Sequence, residues 1–157
     1  MPAPASAPRP RSLSKRRLKT WIRLLQLTRT TEGRLRDYLR REHDTTLPRF
    51  DVMAALYRQP DGMAMSDLSR FLLVSNGNVT GIVERLVKDG FVSRAAREGD
   101  RRAFIVKLTP VGETRFTEMA AAHETWIEEF LGDVAHGDAV RLSATLKAFR
   151  SNWEEAH

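Results

Sequence analysis

The chain has 157 residues, 41% of them hydrophobic and 29% charged, a formal net charge of +6 and no cysteine. Those values describe one ordinary compact domain and exclude disulfides and thiolate metal sites. No apolar run approaches the roughly 20 residues that span a bilayer, and residues 1–12 lack the apolar core of a secretory signal, so the expectation is a cytoplasmic protein with no membrane partner.

The charge is segregated. Residues 1–31 carry eight Lys or Arg and no acid, residues 85–107 carry seven bases and three acids, and residues 108–157 carry four bases and nine acids. A polyanion docking on one face would explain this, as would a basic tail on a solvated domain.

In chain order, residues 1–14 are rich in Pro, Ala, Ser and Arg and form a predicted disordered basic arm. An amphipathic helix is predicted from Ser14 to Glu42, with a stripe of Leu18, Trp21, Ile22, Leu25, Leu35, Tyr38 and Leu39. Thr28, Thr31 and Glu32 interrupt that stripe. After a loop over 43–48, a second helix carries Phe50, Met53, Ala54 and Tyr57 and stops at Gln59-Pro60-Asp61-Gly62. Ser66 is read as the cap of a short helix bearing Leu68, Phe71 and Leu72.

A turn at Val74 to Gly77 leads into a helix with a clean stripe of Val79, Ile82, Val83 and Leu86, ended by Gly90 as a left-handed cap. Strands are predicted at Phe91–Ala96 and Ala103–Leu108, joined by a tip containing Gly99. Thr109-Pro110 is an N-cap followed by proline at the first helical position. That helix carries Phe116, Met119, Ala120, Trp126, Ile127 and Phe130; a break over 132–137 precedes a last helix with Leu142, Leu146, Phe149 and Trp153.

This order predicts a mainly α fold with a small β-hairpin wing, a winged helix-turn-helix with long flanking helices. The predicted divisions are 1–14 arm, 15–47 N-terminal dimerisation helix, 48–109 DNA-binding lobe and 110–157 C-terminal dimerisation helices. The flanking stripes are too apolar for a small monomer, and a two-fold homodimer is the commonest way to cover them.

Two short helices joined by a tight turn place the N-terminal residues of the second at base edges in a major groove. Here these are Ser75, Asn76, Asn78, Val79 and Thr80. Asn pairs bidentately with adenine, and Ser or Thr donates or accepts at bases and phosphates. Gly77 and Gly81 allow close approach, and Arg85 and Lys88 suit phosphates. On the hairpin, Arg94 and Arg97 lead into a tip bearing Arg101 and Arg102, which suit a narrow minor groove. Asp100 is read as orienting an arginine through a bidentate pair.

Asp100-Arg101-Arg102 followed by Val106, Leu108-Thr109-Pro110 and Gly112 resembles the D-R-R…V-x-L-T-x-x-G signature of the multiple antibiotic resistance regulator (MarR) family. Residues 75–86 and 47–52 are similar to that family's recognition helix and second helix, and the resemblance covers roughly residues 18–155. It implies a triangular homodimer reading a palindromic double-stranded operator, most often as a repressor, with a small aromatic acid releasing the DNA. By position, its base and phosphate contacts fall on Ser75, Asn78, Thr80 and Arg85, and its minor-groove contact on Arg101 or Arg102. The basic arm departs from many members; phosphate contact and a solvated tail both stay open for it. The lack of cysteine excludes a thiol-based peroxide sensor.

The resemblance also places the effector where the dimer head meets the lobe. Candidates there are Thr28 and Arg29 at the gap in the first helix, Trp21, Tyr38, Met53, Tyr57, Phe116 and His123 as walls, and Arg23 or Arg29 for a carboxylate. A CoA thioester of an aromatic acid is the other ligand form that the basic first helix would suit. His123 also reads as a core or interface histidine on an apolar stripe.

There is no nucleophile motif, phosphate-cradling glycine pattern or metal-ligand spacing, so neither an enzyme nor a cofactor is expected. The competing readings are a non-specific architectural DNA binder that uses the basic arm, and a winged-helix protein-interaction module. The small polar recognition helix and the arginine-rich wing oppose the latter.

Overall fold

A computed structural model describes the backbone of residues 11–97 and 100–156 and the side chains of 14–96 and 104–150. The first ten residues of the expected arm lie outside the described residues. Helix α1 spans Arg11–His43, so residues 11–14 are helical where the composition predicted arm. It stops where Asp44 takes a left-handed φ of 46°, turning the chain toward α2 (Leu47–Tyr57). Thr46 enters α2 in an extended conformation and Pro48 lies in its first turn, where a missing N–H costs nothing.

Gly62 (φ 87°) closes the next turn, and a Cβ there would meet the Val106 carbonyl oxygen at 2.7 Å. Glycine is thus required by close approach as well as by dihedral. A two-residue strand, β1 (Met63–Ala64), follows and runs straight into α3 (Met65–Leu72). The helix therefore starts before Ser66: Ala64 occupies the N-cap position without any side-chain bond, its direction set by strand pairing. Phe71, expected in the core, is 56% exposed.

Helix α4 (Asn76–Lys88) is capped by Ser75, whose Oγ accepts from the Asn78 N–H at 3.4 Å. Gly90, at φ 78°, reverses the chain into β2 (Val92–Arg97), which pairs antiparallel with β3 (Asp100–Leu108). The sheet order is β1-β3-β2, with Val92 opposite Leu108 and Met63 opposite Val106. Thr109 then locks the sheet to α5 (Pro110–Phe130): its Oγ1 accepts from the Gly112 N–H at 3.0 Å and donates to the Gly90 carbonyl at 2.6 Å. A Cβ on Gly112 would sit 1.9 Å from the Phe91 carbonyl oxygen, so helix and strand meet at a contact only glycine permits. Helix α6 (His136–Ala156) completes the chain.

The core lies in the lobe and at the roots of the long helices. Leu39 from α1, Val52 and Met53 from α2, Leu68 from α3, Val79, Val83 and Leu86 from α4, Val106 from β3 and Met119 from α5 are all at most 1% exposed. The Arg49–Asp89 ion pair ties α2 to the end of α4. An aromatic column climbs α5: Tyr57 on Phe116 at 4.9 Å, Phe50 on His123 at 5.2 Å, Trp126 on Phe130 at 5.3 Å. By contrast, Leu18, Trp21 and Ile22 on α1 and Val140, Leu142, Leu146 and Phe149 on α6 are exposed.

Candidate nucleic-acid interface and effector cavity

Helix α4 has two unlike faces. Val79, Val83 and Leu86 are fully buried against the lobe, whereas Asn76, Asn78, Arg85 and Lys88 are exposed. Asn78 and Arg85 are seven residues apart and therefore share the outward face. Thr80 is half-buried and its hydroxyl donates to the Asn76 carbonyl at 2.8 Å, leaving its oxygen lone pairs as acceptors. Ser75 is exposed but engaged as the cap. Val79 has to be removed from the base-reading set. At 0% exposure it is a core residue, and the apolar spacing with Ile82, Val83 and Leu86 already pointed it inward.

Gly77 and Gly81 have open space around them: a Cβ at either would meet nothing within 4 Å. Glycine inside a helix costs about 1 kcal/mol relative to alanine, and nothing in this chain's own packing calls for it at these positions.

On the wing, the exposed Arg94 lays its guanidinium over the Phe104 ring at 3.9 Å, a cation–π stack that holds it on the sheet. The side chains of Arg97, Asp100, Arg101 and Arg102 lie outside the described residues; their backbone forms the end of β2 and the start of β3.

The residues expected around an effector are dispersed: Arg23 lies in a surface groove along α1 with Leu18 and Ile22, Tyr57 in one beside Glu113 and Thr117, and Thr28, Phe116 and His123 fall in two further hollows. One, of about 300 Å³ between α1 and α5, is lined by Thr28, Thr31 and Glu32 with Ile127, Phe130 and Leu131. The other, of about 370 Å³ between α2, α3 and α5, brings Phe116 and His123 together with Phe50, Phe71, Asp51 and Arg58. Met53 is a correction: 1% exposed and packed in the core, it cannot wall an open cavity. Tyr38 packs at 6.1 Å on Trp126, and Tyr57 lies half-exposed beside Phe116. Trp21, Arg23 and Arg29 are exposed on α1 and line neither hollow. The cation that the aromatic cavity does contain is Arg58, which sequence reasoning missed; it lies seven residues beyond Asp51, at the C-cap of α2.

Burial raises the Asp51 carboxyl pKa, and the nearby charge of Glu32 raises it further. Burial lowers the His123 pKa, favouring its neutral form. Among the described residues no group of acidic and histidine side chains could hold a metal ion, and no helix is long and apolar enough to cross a membrane.

A short helix, a tight turn, a helix with one buried and one polar face, and an antiparallel hairpin define a winged helix-turn-helix protein. A sequence model of the MarR family matches residues 45–104. The crystal structure of a MarR family transcriptional regulator from Silicibacter pomeroyi is 36% identical to this chain, covering 89% of it and 96% of that protein, with a TM-score of 0.75. The chain belongs to the MarR family, a family of transcriptional regulators rather than of enzymes. It is also similar to the transcriptional activatory protein BadR of Rhodopseudomonas palustris, 34% identical over 96 residues, which are 59% of this chain and 55% of BadR. Streptococcus pneumoniae FabT, solved in complex with DNA, shares the fold at 19% identity and a TM-score of 0.72, over 91% of this chain and 99% of FabT.

Proposed function

We propose that this protein binds a pseudo-palindromic DNA operator in the cytoplasm as a homodimer and represses transcription until a small aromatic acid, free or as its CoA thioester, releases it. The observation that carries the DNA reading is α4 itself. Its apolar side is sealed in the core, while its other side offers Asn76, Asn78, Arg85 and Lys88 beside two glycines that leave room for a close surface. Asn76 and Asn78 read base edges, Ser75 and Thr80 accept or donate near the backbone, and Arg85 and Lys88 hold phosphates. Arg94, Arg97, Arg101 and Arg102 bring the wing to the adjacent minor groove, with Asp100 orienting them. The homodimer is supported by the uncovered apolar faces of α1 and α6.

The effector reading is supported by the α2–α3–α5 cavity. Its aromatic walls suit an aromatic ring, Arg58 suits a carboxylate, and Phe71 and Leu72 connect it to α3, the first helix of the reading motif. Occupancy that shifts α3 would tilt α4 on its core face.

The test is selection of bound DNA from a random pool, repeated with aromatic acids and their CoA thioesters. A two-fold-symmetric site, lost with one compound, is expected; a sequence-independent pool would favour the architectural alternative. Arg101→Ala with Arg102→Ala should remove most of the affinity and leave the fold intact. A promoter fusion gives the sign of regulation, with activation, which BadR's name describes for that protein, as the opposite outcome.

A further inference from the structure

The turn between α3 and α4 holds a side chain that the chain's own packing does not explain. Among the described residues two other than glycine adopt a positive φ, Asp44 at 46° and Leu73 at 55°. Aspartate tolerates that conformation, whereas the Cβ of a leucine crowds the following carbonyl and gains no local hydrogen bond in return. Leu73 is also 91% exposed, the highest value of any large apolar side chain among the described residues, with Phe149 next at 68%.

The turn itself is firmly tied. The Leu73 N–H donates to the Arg70 carbonyl at 3.3 Å and the Val74 N–H to the Ser69 carbonyl at 3.2 Å, the two bonds of a Schellman motif. The buried Ser69 adds a third, its Oγ donating to the Val74 carbonyl at 2.7 Å. The left-handed position of such a motif ordinarily belongs to glycine, with asparagine as the usual substitute. Here it carries a branched apolar side chain held in water, disfavoured by its backbone and uncompensated by burial.

The surroundings of Leu73 narrow what could cover it. Residues 73–78 form an unbroken exposed run that leads into the reading end of α4. Leu73 lies two residues before Ser75, the cap of α4, so the two Cα atoms are within about 7 Å of each other. A surface that approaches Asn76 and Asn78 therefore reaches Leu73 as well. In a major groove, the base-specific group that an apolar side chain can match is the C5-methyl of thymine. A phosphate would leave the leucine in water, and a polar base edge pressed on it would lose its hydrogen bonds.

We propose that Leu73 packs on the C5-methyl group of a thymine in each operator half-site, so that the turn as well as the helix sets base preference. This rests on the DNA reading above and adds to it a residue that acts without a hydrogen bond.

The test uses the full-length protein and the operator recovered from the random pool. Symmetric thymine pairs of that operator are replaced, one pair at a time, by deoxyuridine, which lacks only the methyl. Affinity is read by fluorescence anisotropy at fixed salt for the wild type, Leu73→Gly and Leu73→Asn. Both substitutions suit a φ of 55°, so neither should lower the thermal midpoint. Covering one methyl is worth about fourfold in affinity, and about fifteenfold when both half-sites lose it. One thymine pair should show that loss with the wild type and less than about twofold with either variant, while both variants bind the unmodified operator more weakly by at least the same factor. Deoxyuridine effects that are the same in all three proteins at every thymine overturn the inference and leave the DNA reading standing. Unchanged affinity in Leu73→Gly also overturns it and frees the leucine for a protein partner. A midpoint that falls in both variants overturns it by giving Leu73 a structural role. A chain that selects no sequence from the pool overturns the DNA reading and the inference with it.

Discussion

The lobe around α4 and the pair α1–α6 both carry apolar stripes at helical spacing but end in opposite states. In the lobe, helices of 8 to 13 residues and a three-stranded sheet close on each other, and Leu68, Val79, Val83, Leu86 and Val106 lose all contact with solvent. In the head, helices of 33 and 21 residues leave Leu18, Trp21, Leu142, Leu146 and Phe149 between 42% and 68% exposed. The first arrangement is complete within one chain; the second leaves an apolar face uncovered, the face that the proposed homodimer would close. Reading DNA requires a helix held rigidly, and the proposed second copy would space two such helices.

The sharpest way to break this contrast is to truncate equivalent side chains in both regions. Leu86→Ala removes a fully buried side chain at the centre of the lobe and should cost about 2–5 kcal/mol, measured by urea unfolding under conditions where the chain is monomeric. Leu146→Ala, 42% exposed in the lone chain, should change that monomer stability by no more than about 0.5 kcal/mol and appear instead as a weaker dimer. Equal costs in the monomer would mean that the head is closed within the subunit.

Next in size is the hinge between sheet and α5. Gly112→Ala drives a methyl into the Phe91 carbonyl, and overpacking of that kind costs about 1–3 kcal/mol. The thermal midpoint should fall while the far-ultraviolet spectrum stays helical. An unchanged midpoint would mean that α5 is not fixed to the lobe at this point, and with it would go the route from lobe to head.

These two positions also show why some features were legible in the sequence. Leu86 belongs to a 3.6-residue stripe, and the Thr109-Pro110 start of α5 is local chemistry, so both were available from order alone. Gly112 could be noticed as part of a signature, but its cause, the Phe91 carbonyl oxygen that a Cβ there would meet at 1.9 Å, is tertiary. β1 was missed for the same reason: two residues have no period, and only pairing with Val106 and Ile105 makes Met63–Ala64 a strand. Ser66 looked like a cap because the strand that starts α3 was unseen. Val79 was misassigned by adjacency to Asn78, against its own stripe. Arg58 and Phe71 escaped because their cavity forms from three elements that only packing unites.

A smaller effect distinguishes function from stability within α4. Gly81→Ala should stabilise the lobe by up to about 1 kcal/mol, since alanine is the better helix former and its methyl meets nothing. In the proposed complex the same methyl stands on the face turned to the groove, so operator affinity should fall as the midpoint rises. Both quantities rising together would show that the helix reads DNA through another face.

The smallest expected effect concerns Asp51, at the border of lobe and head. Its carboxyl is raised by burial first and by Glu32 second, so the folded state disfavours its ionised form. A carboxyl with a folded pKa above its unfolded one loses stability as pH rises from the unfolded value through the folded value, and the penalty is complete above both. Asp51→Asn removes the ionisation while keeping the shape. It should therefore raise the thermal midpoint slightly at pH 7 and make no difference well below the ordinary aspartate range, about pH 3.9. A midpoint lowered at pH 7 would mean that the ionised carboxylate has a partner that stabilises it, and the cavity beside Arg58 would then be organised by an ion pair rather than open to an anionic ligand. The same variant in the Glu32→Gln background should gain less, because one of the two causes has already gone. An undiminished gain would assign the shift to burial alone and separate the α1 gap from the α2 cavity.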